Sequence, residues 1–133
     1  GRSDATLNIA GVRIGTSEVY RVANTLDAVL DSVVVAQRWE SDARMVLFVR
    51  LQADAQLDDA LRESIREALR TRASPRHVPA VILQVSAFPH TRAGKLAERY
   101  VRDVVNGDPY PPRAQLKNPD CLAEFTDRIE LLR

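Results

Sequence analysis

Lysine is rare in this chain, and one of its two lysines, Lys95, lies in the run PHTRAGKLAERY, residues 89–100, directly after a glycine at what reads as the mouth of a helix. Backbone N–H groups and the dipole at a helix start attract anions, so a phosphate cradle is the first chemistry to test. The Walker pattern fails, because it needs glycine where Pro89 stands and Ser or Thr where Leu96 stands. The other reactive side chains are His77, His90 and Cys121. No HxxH, HExxH or CxxC spacing is present, so the sequence predicts no protein-built transition-metal site. A Cys121–histidine nucleophile pair has no supporting local motif, and no GxSxG elbow exists. Read from these residues alone, the chain is not a self-sufficient enzyme, and Lys95 is a solvated surface lysine.

Composition narrows the classes. The 133 residues make about one domain, and 45% hydrophobic with 28% charged content is that of an ordinary globular protein. A net charge of +1, with arginines interleaved among acids as in DDALRESIREALRTR, argues against a nucleic-acid partner. No apolar run reaches the length of a membrane span, and GRSDATLN lacks the features of a signal peptide. One cysteine cannot form an internal disulfide, which points to a reducing cytoplasm. The start without methionine points to a piece of something longer.

Several elements must position these residues. TLNIAGVRIG alternates about Gly11, predicting a short hairpin or bent strand over residues 6–14. A helix follows, with Thr16 as its cap and Val19, Val22, Ala23 and Leu26 at helical spacing. DSVVVAQRW and RMVLFVRLQ predict two adjacent antiparallel strands. Leu57, Leu61, Ile65, Ala68 and Leu69 form one stripe of an amphipathic helix that SPRHVP breaks. AVILQVSAF predicts a third strand, and Ala97, Tyr100, Val101 and Val104 a further helix ended by Gly107. Past it, DPYPPRAQLK reads as an extended arm rather than core, and Asn118-Pro119 as the cap and first turn of a last helix. The expected fold is α/β (α+β): a roughly three-stranded sheet packed by helices, an N-terminal hairpin and a C-terminal helical extension. Residues 1–107 form the domain and 108–133 the extension.

Two motifs carry a resemblance. GRSDATLNIAGVRIGTSEVY resembles the hinge segment, and PHTRAGKLAE the Thr-Arg-Ser-Gly-Lys loop, of the C-terminal domain of AMP-forming acyl-CoA synthetases in the adenylate-forming superfamily. They stand about eighty residues apart, in the order that family has. IREALRTRASP is similar to the helix that precedes its Ser/Thr-Pro break, and the tail and VLFVRL are most similar to the acetoacetyl-CoA synthetase branch. The resemblance covers about residues 1–107.

It implies a mobile lid that swings over a large N-terminal adenylation domain, first to make acyl-AMP and then the thioester. Lys95 becomes the catalytic lysine of the first step, delivering charge to a site built by its partner domain. Asp4 matches the hinge; Arg2 and Arg13 match arginines near the nucleotide; Gly11 matches the position lining the pantetheine tunnel. Arg66 matches an arginine that contacts coenzyme A phosphates, although an arginine on a helix face shared with acids is also an ordinary solvated residue. Implied substrates are ATP with Mg2+, coenzyme A and a small carboxylic acid, and the fragment alone is expected to be inactive. His90 replaces the family's lysine before Thr-Arg, Ala93 its serine before Gly94, and Leu26 a cation-binding histidine, so no metal site is expected in this domain. Lys95 is also the family's target for protein lysine acetyltransferases. Two alternatives remain open: an isolated recognition module for such an enzyme, and an acetyl- or propionyl-CoA synthetase branch.

Overall fold

The computed structural model describes residues 6–126 and 128–131. The chain divides into two compact units, Gly1–Val85 and Ser86–Arg133.

The first unit opens with the expected hairpin, β1 (Thr6–Ile9) and β2 (Val12–Gly15), paired antiparallel. Its two-residue turn places Ala10 at φ 51° and Gly11 at φ 78°, the positive-φ pair that matches strand twist. Helix α1 (Thr16–Ala23) follows at once. Thr16 is the first helical residue rather than the cap: Gly15 holds the N-cap position without a side-chain hydrogen bond, and Thr16 is buried. Strands β3 (Val29–Trp39) and β4 (Asp42–Leu51) pair antiparallel as expected, with Val34 opposite Leu47 and Ala36 opposite Met45. Helix α2 (Asp59–Arg72) is capped by Asp58, whose carboxylate accepts from the Leu61 N–H at 2.8 Å. Strand β5 (Val81–Gln84) joins the sheet parallel to β4, giving the order β3-β4-β5.

Met45, Leu47, Val49 and Leu51 alternate along β4 and enter one core with Val19, Val22, Ile65, Leu69 and Ile82. The intervening Val46 and Phe48 are also fully buried. Both faces of β4 are therefore covered, which explains its unbroken apolar run. Tyr20 from α1 enters the core and its hydroxyl accepts the Val34 N–H at 3.1 Å, so the buried phenol and an outward amide of edge strand β3 satisfy each other.

The second unit contains helix α3 (Glu98–Val105) and short 3-10 turns at Arg113–Gln115, Pro119–Phe125 and Ile129–Leu131. Gly107, at φ 68°, terminates α3 as expected: its N–H donates to the Val104 carbonyl and the Asp108 N–H to the Asp103 carbonyl, the Schellman arrangement. Two expectations for the tail are corrected. The run after Gly107 is not free of the core, because Leu116 is 1% exposed and packs with Ala97, Tyr100 and Leu122. The last helix is 3-10 rather than α, and Thr126 breaks it in extended conformation after Cys121, Leu122 and Phe125 are buried. Phe125 stacks on Phe88 with ring centroids 6.2 Å apart. Among the described residues no helix is long and apolar enough to cross a membrane.

Candidate functional site

Lys95 does not open a helix. It follows a tight turn, Thr91–Gly94, in which the Gly94 N–H donates to the Thr91 carbonyl at 2.8 Å. The Thr91 N–H donates to the Lys95 carbonyl at 2.8 Å, and the Lys95 N–H to the Thr91 hydroxyl at 3.2 Å. His90 and Leu96 then pair as an antiparallel bridge. Gly94 sits at φ 88°, the left-handed position that short hairpin loops reserve for glycine. Helix α3 begins only at Glu98. Lys95 is exposed, and among the described residues its ammonium has no hydrogen-bonding or ionic partner. A charge on a four-carbon stem, unspent on its own domain, is available to an anion brought from outside.

The tail lies along the other flank of this turn. Thr91 bridges Leu116, the Arg92 N–H donates to the Gln115 carbonyl at 3.1 Å, and the Lys117 N–H to the His90 carbonyl at 3.0 Å. Arg92 also spends its Nε on the Ala114 carbonyl at 2.7 Å. Asn118 holds the N-cap position of the Pro119–Phe125 turn but makes no side-chain cap bond there. Its amide reaches back instead, accepting the His90 N–H at 2.9 Å and donating to the Phe88 carbonyl at 2.8 Å. Sequence reasoning missed this part of the site. The available signals were a lone leucine, Leu116, in a polar run, and an asparagine before a proline.

The remaining residues singled out from the sequence divide between the units. Arg13 lies exposed on β2, and Gly11 in the turn before it. A Cβ built at Gly11 meets nothing within 4 Å, so within this chain its positive φ, not crowding, favours glycine there. Arg66 lies on α2, with its nearest acid, Glu63, at 3.9 Å. Its neighbours on that face are held more closely, Arg62 by Asp59 at 3.4 Å and Arg70 by Glu67. Leu26 is half-buried against the first unit's core. Lys95 belongs to the second unit. Arg2 and Asp4 lie outside the described residues.

The Cys–His alternative fails on burial. Cys121 is buried, and desolvation together with the nearby Glu124 carboxylate pushes its thiol up to about 11, away from nucleophile behaviour. Both histidines are occupied locally, His77 Nδ1 with the Ser74 hydroxyl at 2.7 Å and His90 Nδ1 with the Phe88 carbonyl at 2.9 Å. Bonding to a carbonyl makes His90 Nδ1 a donor.

Residues 18–95 match the family model described as the AMP-binding enzyme C-terminal domain. The acetoacetyl-coenzyme A synthetase of Rhizobium meliloti (strain 1021) is 48% identical over 131 residues, 98% of this chain and 20% of the relative. That of Danio rerio is 39% identical over 132 residues, again 98% of this chain and 20% of the relative. Among solved structures, acetoacetyl-CoA synthetase from Streptomyces lividans matches with a TM-score of 0.77 and 36% identity over 94% of this chain and 19% of its own. An acyl-CoA synthetase of Brucella canis matches with a TM-score of 0.70 and 25% identity over 77% of this chain and 19% of its own. The chain spans about one fifth of the length of these relatives.

Proposed function

The chain belongs to the AMP-binding enzyme C-terminal domain family, and on that premise we propose that it is the lid of an acetoacetyl-CoA synthetase, supplying the lysine for adenylation and contacts for coenzyme A. The observation that carries this reading is Lys95 itself: an exposed ammonium with no partner among the described residues, behind a left-handed glycine on a turn pinned at both flanks. The acid comes from the relatives, whose names specify acetoacetyl rather than acetyl or propionyl. Residues 1–107 are then the lid, 108–133 its extension, and an N-terminal adenylation domain in the parent chain its partner.

In the first half-reaction an acetoacetate carboxylate oxygen attacks the α-phosphorus of ATP, forming acetoacetyl-AMP and releasing pyrophosphate. In the second, the coenzyme A thiol displaces AMP and leaves acetoacetyl-CoA. The first brings two anions together and builds charge on phosphoryl oxygens, which the Lys95 ammonium offsets. Mg2+ enters with ATP as substrate. Arg13, exposed on β2, faces the nucleotide, and Arg66 uses its loosely paired guanidinium on coenzyme A phosphate. Gly11 lines the thiol's path, Arg2 completes the nucleotide contacts and Asp4 is the hinge.

A protein lysine acetyltransferase is the one further partner this reading brings, because an exposed lysine is accessible to it and acetylation erases the charge on which the first step depends. A reducing cytoplasm fits the unpaired Cys121. No observation favours a free-standing recognition module, since the relatives named above are ligases. In the full-length parent, Lys95→Ala should reduce acetoacetate-dependent pyrophosphate exchange by at least about a hundredfold while thioester formation from supplied acetoacetyl-AMP persists. Normal exchange in this variant overturns the assignment.

A further inference from the structure

We propose that Asn118 is a positioning residue for Lys95, acting as a side-chain splint that joins the tail to the lysine loop; this rests on the reading of Lys95 as the adenylation lysine. The register of the tail against the loop shows why a splint is needed. With Thr91 opposite Leu116, an antiparallel ladder calls for the His90 N–H to donate to the Lys117 carbonyl and for residue 119 to donate its N–H to the Phe88 carbonyl. Residue 119 is proline and has no N–H to give. The Asn118 amide supplies both missing halves, its Oδ1 accepting from His90 at 2.9 Å and its Nδ2 donating to Phe88 at 2.8 Å. A primary amide is the group that carries acceptor and donor side by side, as a peptide unit does. The ladder therefore runs on past the point where the backbone leaves it.

The effect on Lys95 follows from connectivity. The Lys95 carbonyl and N–H are both bonded to Thr91, so the lysine's backbone moves with the 90–92 strand. That strand is exposed at its tip and held on its outer flank by the tail, which buried Leu116 anchors. Releasing Asn118 removes two bonds at the base of the turn, those to the His90 N–H and the Phe88 carbonyl, and leaves the tail holding this strand through the Lys117 N–H on the His90 carbonyl and the Arg92 N–H on the Gln115 carbonyl, so the base of the turn is loosened. The charge of Lys95 is then spread over more positions, a loss felt only in the step that uses the lysine.

The test uses the full-length synthetase with acetoacetate, ATP and coenzyme A. Asn118→Ala should slow acetoacetate-dependent pyrophosphate exchange by about ten- to a hundredfold, since misplacement of about 1 Å has that scale of effect. Thioester formation from supplied acetoacetyl-AMP should stay within about twofold, because a splint for Lys95 has no part in it. The double variant with Lys95→Ala should be no slower than Lys95→Ala alone, since the two act as one unit. Hydrogen exchange of the 89–96 amides should quicken by about tenfold, as it does where local opening becomes easier. Should Asn118→Ala not fold, Asn118→Asp carries the same tests, keeping the acceptor for His90 and losing the donor for Phe88. Unchanged amide exchange, equal slowing of both half-reactions, or additivity with Lys95→Ala each overturns the splint. A fully active Lys95→Ala overturns the lysine assignment as well, whereas an inactive Lys95→Ala beside a fully active Asn118→Ala overturns the splint alone.

Discussion

Replacing Gly94 by alanine separates backbone strain from crowding at the turn that presents Lys95. Gly94 sits at φ 88°, and a Cβ added there meets no atom within 4 Å. The methyl group therefore clashes with nothing, and the whole cost is that of holding an L-residue in left-handed conformation, roughly 1–2 kcal/mol. If the loop escapes that strain by leaving its hairpin geometry, the presented form falls by about 5- to 30-fold. Pyrophosphate exchange by the full-length synthetase should fall by up to the same factor while the thioester step is unaffected. Asparagine, which tolerates positive φ, should cost less than alanine, and β-branched valine more. Gly15 is the control: a Cβ there also meets nothing, but its φ of −77° suits any residue, so Gly15→Ala should leave exchange unchanged. A Gly94→Val enzyme as active as the parent, or equal losses for all three residues, refutes the strain account.

Two further outcomes follow from local chemistry. The β3–β4 turn holds Glu40 at φ 47° and Ser41 at φ 70°, so replacing the pair with Asn-Gly should raise stability by about 0.5–1 kcal/mol, read as a higher Tm in thermal unfolding; an unchanged Tm refutes it. The Cys121 thiol is pushed up to about 11 from an ordinary 9.0, so the folded state holds its proton where the unfolded state has lost it; stability should fall as pH rises from 9 to 11, and Cys121→Ser should flatten that slope in alkaline unfolding curves.

What was legible in the sequence was local. The β-branched runs around Val33–Val35 and Val46–Val49 announce strands because such side chains suit a pleated surface, and the short polar link between them leaves only antiparallel pairing. The Leu57–Leu69 stripe gives α2 for the same kind of reason, and Gly107 gives the end of α3. What was illegible depends on partners far along the chain. Nothing near Val81–Gln84 states that it pairs parallel to β4. Thr16 and Asn118 both read as caps because cap chemistry is local, yet one is buried in the helix and the other bonds 28 and 30 residues upstream. Lys95 itself reads from the sequence as standing at a helix mouth, since a glycine before a lysine looks the same in a turn as at a helix start. The motif resemblance implies its role, and the structure shows the turn.

The tail changes how that lysine is to be understood. A four-residue turn closed by Gly94 could present an ammonium by itself, but closing so short a hairpin leaves it free to fray. Two anchors act on it here. One is local, the left-handed glycine with the Thr91 hydroxyl, and the other is distant, the Leu116 side chain with the Asn118 amide. Both constrain the same few backbone bonds, so neither contribution is independent of the other. Departures from the family's loop at His90 and Ala93 then have a plain reading: the His90 backbone is held by the tail on both its N–H and its carbonyl while its ring bonds back to the Phe88 carbonyl, and Ala93 is an exposed turn residue, so neither side chain is turned toward the tip that presents Lys95 as its sole support. If Lys95 serves adenylation as proposed, it is the one side chain the loop cannot exchange, because the Gly94 turn, the Thr91 hydroxyl and the Asn118 amide all hold backbone and none of them supplies charge.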